Sequence, residues 1–308
     1  MISITTAYNG EVLDGILTRA MTGNEVVDGG HIRIIPNVES KIAIPRMKLG
    51  QIIQDRKATP VSGDSQGTFT LDERSLVVDD YMIYLEFNPR DFETYWRPYQ
   101  PTGNLVFREL PPAIQVQMAE LILAKIDEYH GEAIWTNDKA SGVAPFDKFD
   151  GILTIAAAAA GTIKIASPVA LTNANVKDKF DLVHKAVPRA VKKNASLKYF
   201  CSPYTQELYE EYLMSLPYKS IDPTMTAPTR YRGKTIVPLN GFPDDCIFAA
   251  VANSTASSNL HMGVALQNDE NVLIVDRLQA NSEMFFFKML VKGGTQIGWP
   301  EETVLYMV

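Results

Sequence analysis

The stretch where catalysis would be sought first is Gly63-Asp64-Ser65-Gln66-Gly67, which fits G-x-S-x-G. In a hydrolase that pattern is a nucleophile elbow, a sharp strand-to-helix turn that exposes the serine oxygen and lines up backbone donors. Ser65 is therefore the one candidate nucleophile, and a serine hydrolase is the enzymatic alternative that the sequence raises. Its surroundings argue against it. The motif is followed by TFTLDERS, a strand pattern and not a helix, and the only histidine before it, His31, lies in an extended run. Ser62 to Gly67 is also the composition of a loop tip.

The remaining chemistry-bearing residues do not converge. The four histidines, His31, His130, His184 and His261, lack HExxH or paired-ligand spacing, and no CxxC accompanies them. Lys292-Gly293-Gly294-Thr295 has the look of a phosphate-loop fragment but lacks the preceding glycine and the following helix. Asp79-Asp80 and Asp244-Asp245 are neighbours in sequence, so in a strand their carboxylates face opposite ways and form no dyad. The expectation is no catalytic, cofactor-binding or metal-binding residue.

Composition sets further bounds. The chain has 308 residues, near the upper limit for one hydrophobic core, so two lobes are expected. Its formal charge of −7 gives no global attraction for nucleic acid or anionic membrane. Two cysteines, Cys201 and Cys246, are too few for a disulfide framework and suggest a reducing compartment, or at least independence from oxidation. The N-terminus lacks a signal-peptide pattern, and no apolar run reaches membrane-spanning length, so a cytoplasmic, soluble protein is expected.

The element that organises the rest is Pro111 to Thr136. Two prolines suit a helix start, and Gly131 is a plausible end. Ile114, Met118, Leu121, Ile122, Ile126 and Tyr129 recur at spacings of three and four along one face. About 20–25 residues would make it roughly 30–37 Å long, enough to cross a domain.

Before it, residues 1–30 read as an arm, with Val12, Ile16, Leu17 and Met21 on one side of a short helix. Residues 31–90 read as a long antiparallel hairpin, polar toward its tip and more apolar toward its base. Trp96, Arg97, Pro98, Tyr99 and Pro101 lie in a connector. After the long helix, GILTIAAAAAGTIKIASP reads as two strands joined by a small-residue turn. A second helix follows over 173–194, kinked or ended by Pro188, then the strand SLKYFCSP and a third helix, TQELYEEYLMSL. The rest is a series of strands, of which MFFFKMLV is apolar on both faces and so central or packed on both sides. An arm and a long hairpin cannot stabilise themselves. They point to an assembly in which neighbours cover them.

This order of parts resembles the major capsid protein of tailed bacteriophages, whose fold is shared with encapsulins. The resemblance rests on the arm, the hairpin, the helix Pro111–Thr136, the segment VKDKFDLVHKAVPRAVKKNASLKYFCSPYTQELYEEYL, the stretch GKTIVPLNGFPDD and the closing strands from His261 to Tyr306. It implies an α+β capsid-like fold with an N-terminal arm (1–30), an extended hairpin loop (31–90), a peripheral domain with a long spine helix (91–150, helix 111–136), an axial α/β domain (151–265) and strands returning to the peripheral domain (266–308). It also implies a shell subunit forming hexamers and pentamers of an icosahedral virion head, assembled in the bacterial cytoplasm and enclosing DNA through diffuse contact. Scaffolding, portal and decoration proteins would be its partners. The chain shows no room for a scaffolding segment before the arm, so scaffolding would be separate or already cleaved. An encapsulin-type compartment enclosing cargo is the nearer alternative, and the Ser65 hydrolase the more distant one.

Overall fold

The computed structural model describes residues 6–7, 24–88, 112–216, 230–264, 273–279 and 284–308. The expected arm helix around Val12 to Met21, the aromatic connector at Trp96 and most of the 217–230 loop lie outside them. The elements in chain order begin with β1 (Thr6–Ala7), the one-turn helix α1 (Glu25–Asp28), β2 (Arg33–Ile35), β3 (Lys41–Leu49), β4 (Phe69–Val77) and β5 (Asp79–Phe87). The long helix α2 (Pro112–Thr136), α3 (Ile152–Ala158), β6 (Ile163–Lys164), α4 (Val176–Ala186) and α5 (Arg189–Lys192) follow. The chain closes with β7 (Leu197–Cys201), α6 (Pro203–Ser215), β8 (Arg230–Tyr231), β9 (Lys234–Pro238), β10 (Cys246–Val251), β11 (Leu260–Val264), β12 (Leu273–Arg277), β13 (Phe285–Ile297) and β14 (Val304–Met307).

Among the described residues two six-stranded mixed sheets carry the fold. The first is built around β13, whose 13 residues are long enough to pair with three strands. Phe285 to Gly293 pairs with β5, Phe285 to Met289 with β12, and Gly293 to Ile297 with β11. This central place is what the two-sided apolarity of MFFFKMLV predicts. The second sheet runs β6-β14-β10-β7-β9-β8. Alternation along its strands feeds two cores. Tyr199, Cys201, Ile247, Ala249 and Tyr306 face α4 and α6, while Phe200, Cys246, Phe248 and Leu305 join the larger core that also holds the end of α2. Cys201 and Cys246 therefore sit in different cores as free thiols.

The long helix runs through Gly131 to Thr136 and does not stop at the glycine. The reason is packing: a Cβ on Gly241 would overlap the Gly131 carbonyl, so the helix and the β9–β10 connection meet backbone to backbone there. The helix then ends in Ala133, Ile134 and Trp135, all wholly buried. The Trp135 ring lies 5.0 Å from those of Phe200 and Phe242. Upstream, Leu123 and Ile126 face the core, Ile122 and Tyr129 pack at its margin, and Leu121 is 73% exposed. Three consecutive apolar residues, Leu121 to Leu123, left the stripe's phase open, and the tertiary contacts choose Leu123.

Two other expectations are corrected. The segment GILTIAAAAAG forms helix α3 and only Ile163–Lys164 forms a strand. Alanine's helix propensity outweighs the two β-branched flanks once Ile152, Leu153 and Ala156 have a core to enter. Of residues 31–90, the hairpin itself occupies Lys41 to Val77, with β3 and β4 in register from Lys41↔Val77 to Leu49↔Phe69. The run TFTLDERSLVVDDYMIYLEF is not one strand. It breaks at the buried Val78, and β5 leaves the hairpin for β13.

A polar cluster locks the second lobe. Asp181 on α4 accepts from the Tyr231 hydroxyl at 2.5 Å and pairs with Arg232 at 2.6 Å and Lys177 at 3.3 Å. The Tyr231 hydrogen bond is the largest cause that holds the Asp181 carboxyl down to about 2, against a burial that would raise it, with Lys177 and Arg232 adding to it. A depressed carboxylate contributes stability that is present above its unfolded value near 4 and is lost as pH falls toward 2. Asp181→Asn should therefore lower the urea midpoint at pH 7 and make it less sensitive to pH between 4 and 2 than in the parent chain.

Candidate assembly surface

Ser65 follows a single 3-10 turn, Ser62–Asp64, at the exposed end of the hairpin. Asp64 beside it is engaged by Lys57 and by the Val61 amide, which leaves a well-formed turn and no elbow helix. The four histidines are committed elsewhere. His31 Nδ1 is 2.8 Å from Lys198 Nζ. His130 is buried and hydrogen-bonds the Tyr81 hydroxyl. His184 Nδ1 is 2.6 Å from the Tyr199 hydroxyl. His261 is buried in β11. Burial, with Lys198 beside the first and Arg33 beside the second, lowers both His31 and His261 to about 4. Among the described residues no group of His, Cys, Asp and Glu could hold a metal ion, and no helix is long and apolar enough to cross a membrane.

Lys292 to Thr295 is a straight piece of β13, and its glycines serve packing. Gly294 pairs with Gly263 across the sheet. A Cβ on Gly263 would come within 2.7 Å of Leu76 and 2.9 Å of Val78, and one on Gly294 would overlap the Val77 carbonyl oxygen. The two glycines form a trough in which the base of the hairpin crosses the first sheet. Lys292 meets Asp80 at 3.2 Å beside this crossing.

The hairpin's two faces differ sharply. Even-numbered residues of β3 lie opposite even-numbered residues of β4, so Ile44, Arg46 and Lys48 share a face with Thr70, Asp72 and Arg74. That polar face is turned onto the same chain. Arg46 is 9% exposed; it pairs with Asp72, reaches Glu301 at 3.6 Å, donates to the Gly298 carbonyl at 3.3 Å, and lies 5.3 Å from the centre of the Trp299 ring. Lys48 pairs with Glu301 at 2.6 Å over the same indole, and Arg74 donates to Gln296 at 3.1 Å. Burial would raise the Glu301 carboxyl, but Lys48 and Arg46 hold it below its ordinary value. Arg46→Ala removes the anchor and leaves Asp72 without its guanidinium. Hydrogen bonds to charged groups contribute about 1.5–3 kcal/mol, so a drop of that order in unfolding free energy is expected. Faster protease cleavage between Ile52 and Val61 should accompany it.

Toward the tip the odd-numbered face is apolar and turned outward. Met47 lies opposite Leu71 and Leu49 opposite Phe69, and the four are 62%, 78%, 47% and 69% exposed. Ile52, Ile53 and Val61 beyond them are also exposed. The loop from Gln54 to Gly67 is polar, as expected, but the strand ends that lead into it carry large exposed apolar side chains. The charges of Asp72 and Arg74 belong to the clamped face, while Glu73, opposite Pro45, lies on the outward one. Monomers rarely expose contiguous apolar surface of this kind unless it is an interaction site.

No protein-family model and no curated protein matches the chain. Solved structures do. The capsid of the native GTA particle aligns over 100% of this chain and 95% of its own, with a TM-score of 0.58 and 12% identity. The satellite phage P4 procapsid that includes the size determination (Sid) protein aligns over 96% and 98%, with a TM-score of 0.58 and 12% identity. The capsid of Myoviridae phage XM1 aligns over 91% and 90%, with a TM-score of 0.57 and 12% identity. The chain has the phage capsid-protein fold. It is an α+β fold in which a long helix, a projecting hairpin and two sheets occur in the order that the sequence shows. At 12% identity the likeness is one of architecture, so the capsid fold is carried here by a largely different set of side chains. In this chain Gly263, Gly294, Arg46 and Trp299 hold the hairpin in place.

Proposed function

We propose that the chain is a structural shell subunit, the major capsid protein of a tailed phage or prophage, which assembles into hexamers and pentamers of an icosahedral head around double-stranded DNA. A fold alone does not carry a function. The single observation that carries this one is the hairpin with its polar face clamped to its own chain and its apolar face bare. In a monomer that arrangement is costly, whereas on a neighbouring copy it buries Met47, Leu49, Phe69 and Leu71. The second-sheet lobe would be the axial domain, meeting its equivalents around each capsomer axis, and the lobe around β13 and α2 the peripheral domain. DNA contact would be diffuse, as a net charge of −7 suits packaging without tight binding. Scaffolding, portal and decoration proteins are the partners that such a head would require, and the virion is where the chain would reside.

The test is electron microscopy of the purified protein at high concentration. Rings or closed shells are the expected result, and a Ser65→Ala variant should form them equally well and show no loss of any esterase activity. Monomers under every salt and crowding condition would overturn the proposal. Particles that enclose a protein cargo in place of DNA would redirect it to a compartment.

A further inference from the structure

The lobe built on the second sheet carries another unpartnered surface, on its helices. On α6, Tyr204, Glu207, Glu211 and Met214 recur at spacings of three, four and three, which sets them in one stripe. All four are exposed, Tyr204 at 50% and Met214 at 51%. On α4, Leu182 is 43% exposed and Lys185 lies beside it on the same face, with Arg189 exposed in the turn after Pro188. The two helices pack side by side on the same core, yet α6 is acidic while the end of α4 and α5 are basic. From Leu182 to Ser202 the chain has five Lys or Arg and no Asp or Glu, while α6 has three Glu and no Lys or Arg. Among the described residues, neither Lys185 nor Arg189 forms an ion pair with Glu207 or Glu211. The α6 stripe is thus acidic throughout, the α4–α5 stripe is basic on the C-terminal side of Leu182 while Asp178 on its N-terminal side pairs with Lys177, and neither stripe is satisfied by the other within the chain.

A two-fold contact of either stripe with its own copy would set like charge on like charge, and a two-fold contact of one stripe with the other would close a dimer, whereas the capsomers of the shell reading are rings. A head-to-tail contact sets opposite charges together, and contacts of that kind close into rings when the rotation allows. We propose that the α6 stripe of one copy seats on the α4–α5 stripe of the next. Glu207 and Glu211 then face Lys185 and Arg189, and Tyr204 and Met214 cover Leu182. This seam rests on the shell reading and specifies which surfaces of the axial lobe meet.

The experiment uses two full-length variants, Glu207→Lys with Glu211→Lys, and Lys185→Glu with Arg189→Glu. Both change only exposed positions, and circular dichroism and the thermal midpoint should match those of the parent chain. Each variant alone should fail to form rings in sedimentation and electron microscopy, because both of its stripes now carry one sign. An equal mixture should recover rings, with the two variants in alternation and at 1:1 stoichiometry. Variants that assemble alone as the parent does, or a mixture that stays dispersed, would overturn the seam while leaving the shell reading in place. A parent chain that never assembles would overturn both.

Discussion

Gly294→Val should be among the most damaging single substitutions in the chain, lowering the unfolding free energy by at least about 3 kcal/mol, at the upper end of what overpacking costs. The cause is specific. Most overpacked sites relax by moving a neighbouring side chain. At Gly294 the neighbour is the carbonyl oxygen of Val77, on the backbone of the hairpin's base, and the opposing Gly263 is already pressed by Leu76 and Val78. Relief requires the hairpin to lift off the sheet, which would pull the wholly buried Leu76 into water and loosen the register of β5 on β13. Gly63→Ala is the control, because a Cβ there meets nothing within 4 Å and its effect should be small. Urea denaturation of the three proteins decides the matter. A Gly294→Val midpoint equal to that of the parent would mean that the hairpin does not cross the sheet in contact with this glycine.

The same glycines show what could be read in the sequence and what could not. The order of elements was legible because the periods of 3.6 and 2 are local properties. The long helix, the kink at Pro188, the strand–helix pair from Leu197 to Ser215 and the closing strands can each be recognised within a window of about 20 residues. Gly293-Gly294 was also visible, and its type was informative: a glycine inside a β-branched run marks a close approach of backbone. Its partner was not visible, since Val77 lies over two hundred residues away. Read without that partner, the pair looked like part of a phosphate loop. Gly131 is the same case. A helical glycine suggests an end, unless something distant, here Gly241, needs the space.

The candidate site was legible only in part, for a related reason. The residues after Ser65 read as a strand in the sequence, and the structure places Ser65 itself in an exposed turn. The alternation in β3 and β4 was also plain. Period two, however, says only that two faces exist, not which one meets protein. The usual assumption turns the apolar face toward the chain's own core. Here the assumption fails, because the available surface, Gln296 to Glu301, offers carbonyls, a carboxylate and an indole that suit Arg46, Lys48 and Arg74. The missing signal was the Trp299–Glu301 turn, whose role emerges only from its contact with the hairpin.

Leu71→Asp together with Phe69→Asp should abolish assembly while leaving the fold intact, and this is the largest functional effect that the structure implies. Both side chains point away from the chain's own body and are 78% and 69% exposed, so their loss removes little intrachain packing. Surface substitutions of that kind usually change stability by no more than about 0.5 kcal/mol. On a neighbour's surface the balance is different. Burying a large apolar side chain contributes about 1.5–3 kcal/mol relative to leaving it exposed, and burying an unpaired carboxylate is costly. Two such changes per subunit, repeated at every contact of a closed shell, multiply beyond what assembly can tolerate. The variant should therefore remain a folded monomer or small oligomer in sedimentation, with an unchanged thermal midpoint. Arg46→Ala should behave in the opposite manner, losing stability first and assembly only as the hairpin loses its orientation. If the double aspartate variant forms shells as readily as the parent chain, the bare face of the hairpin is not a subunit contact. The opposed pattern of the two variants separates a hairpin that holds its own chain from one that holds the next.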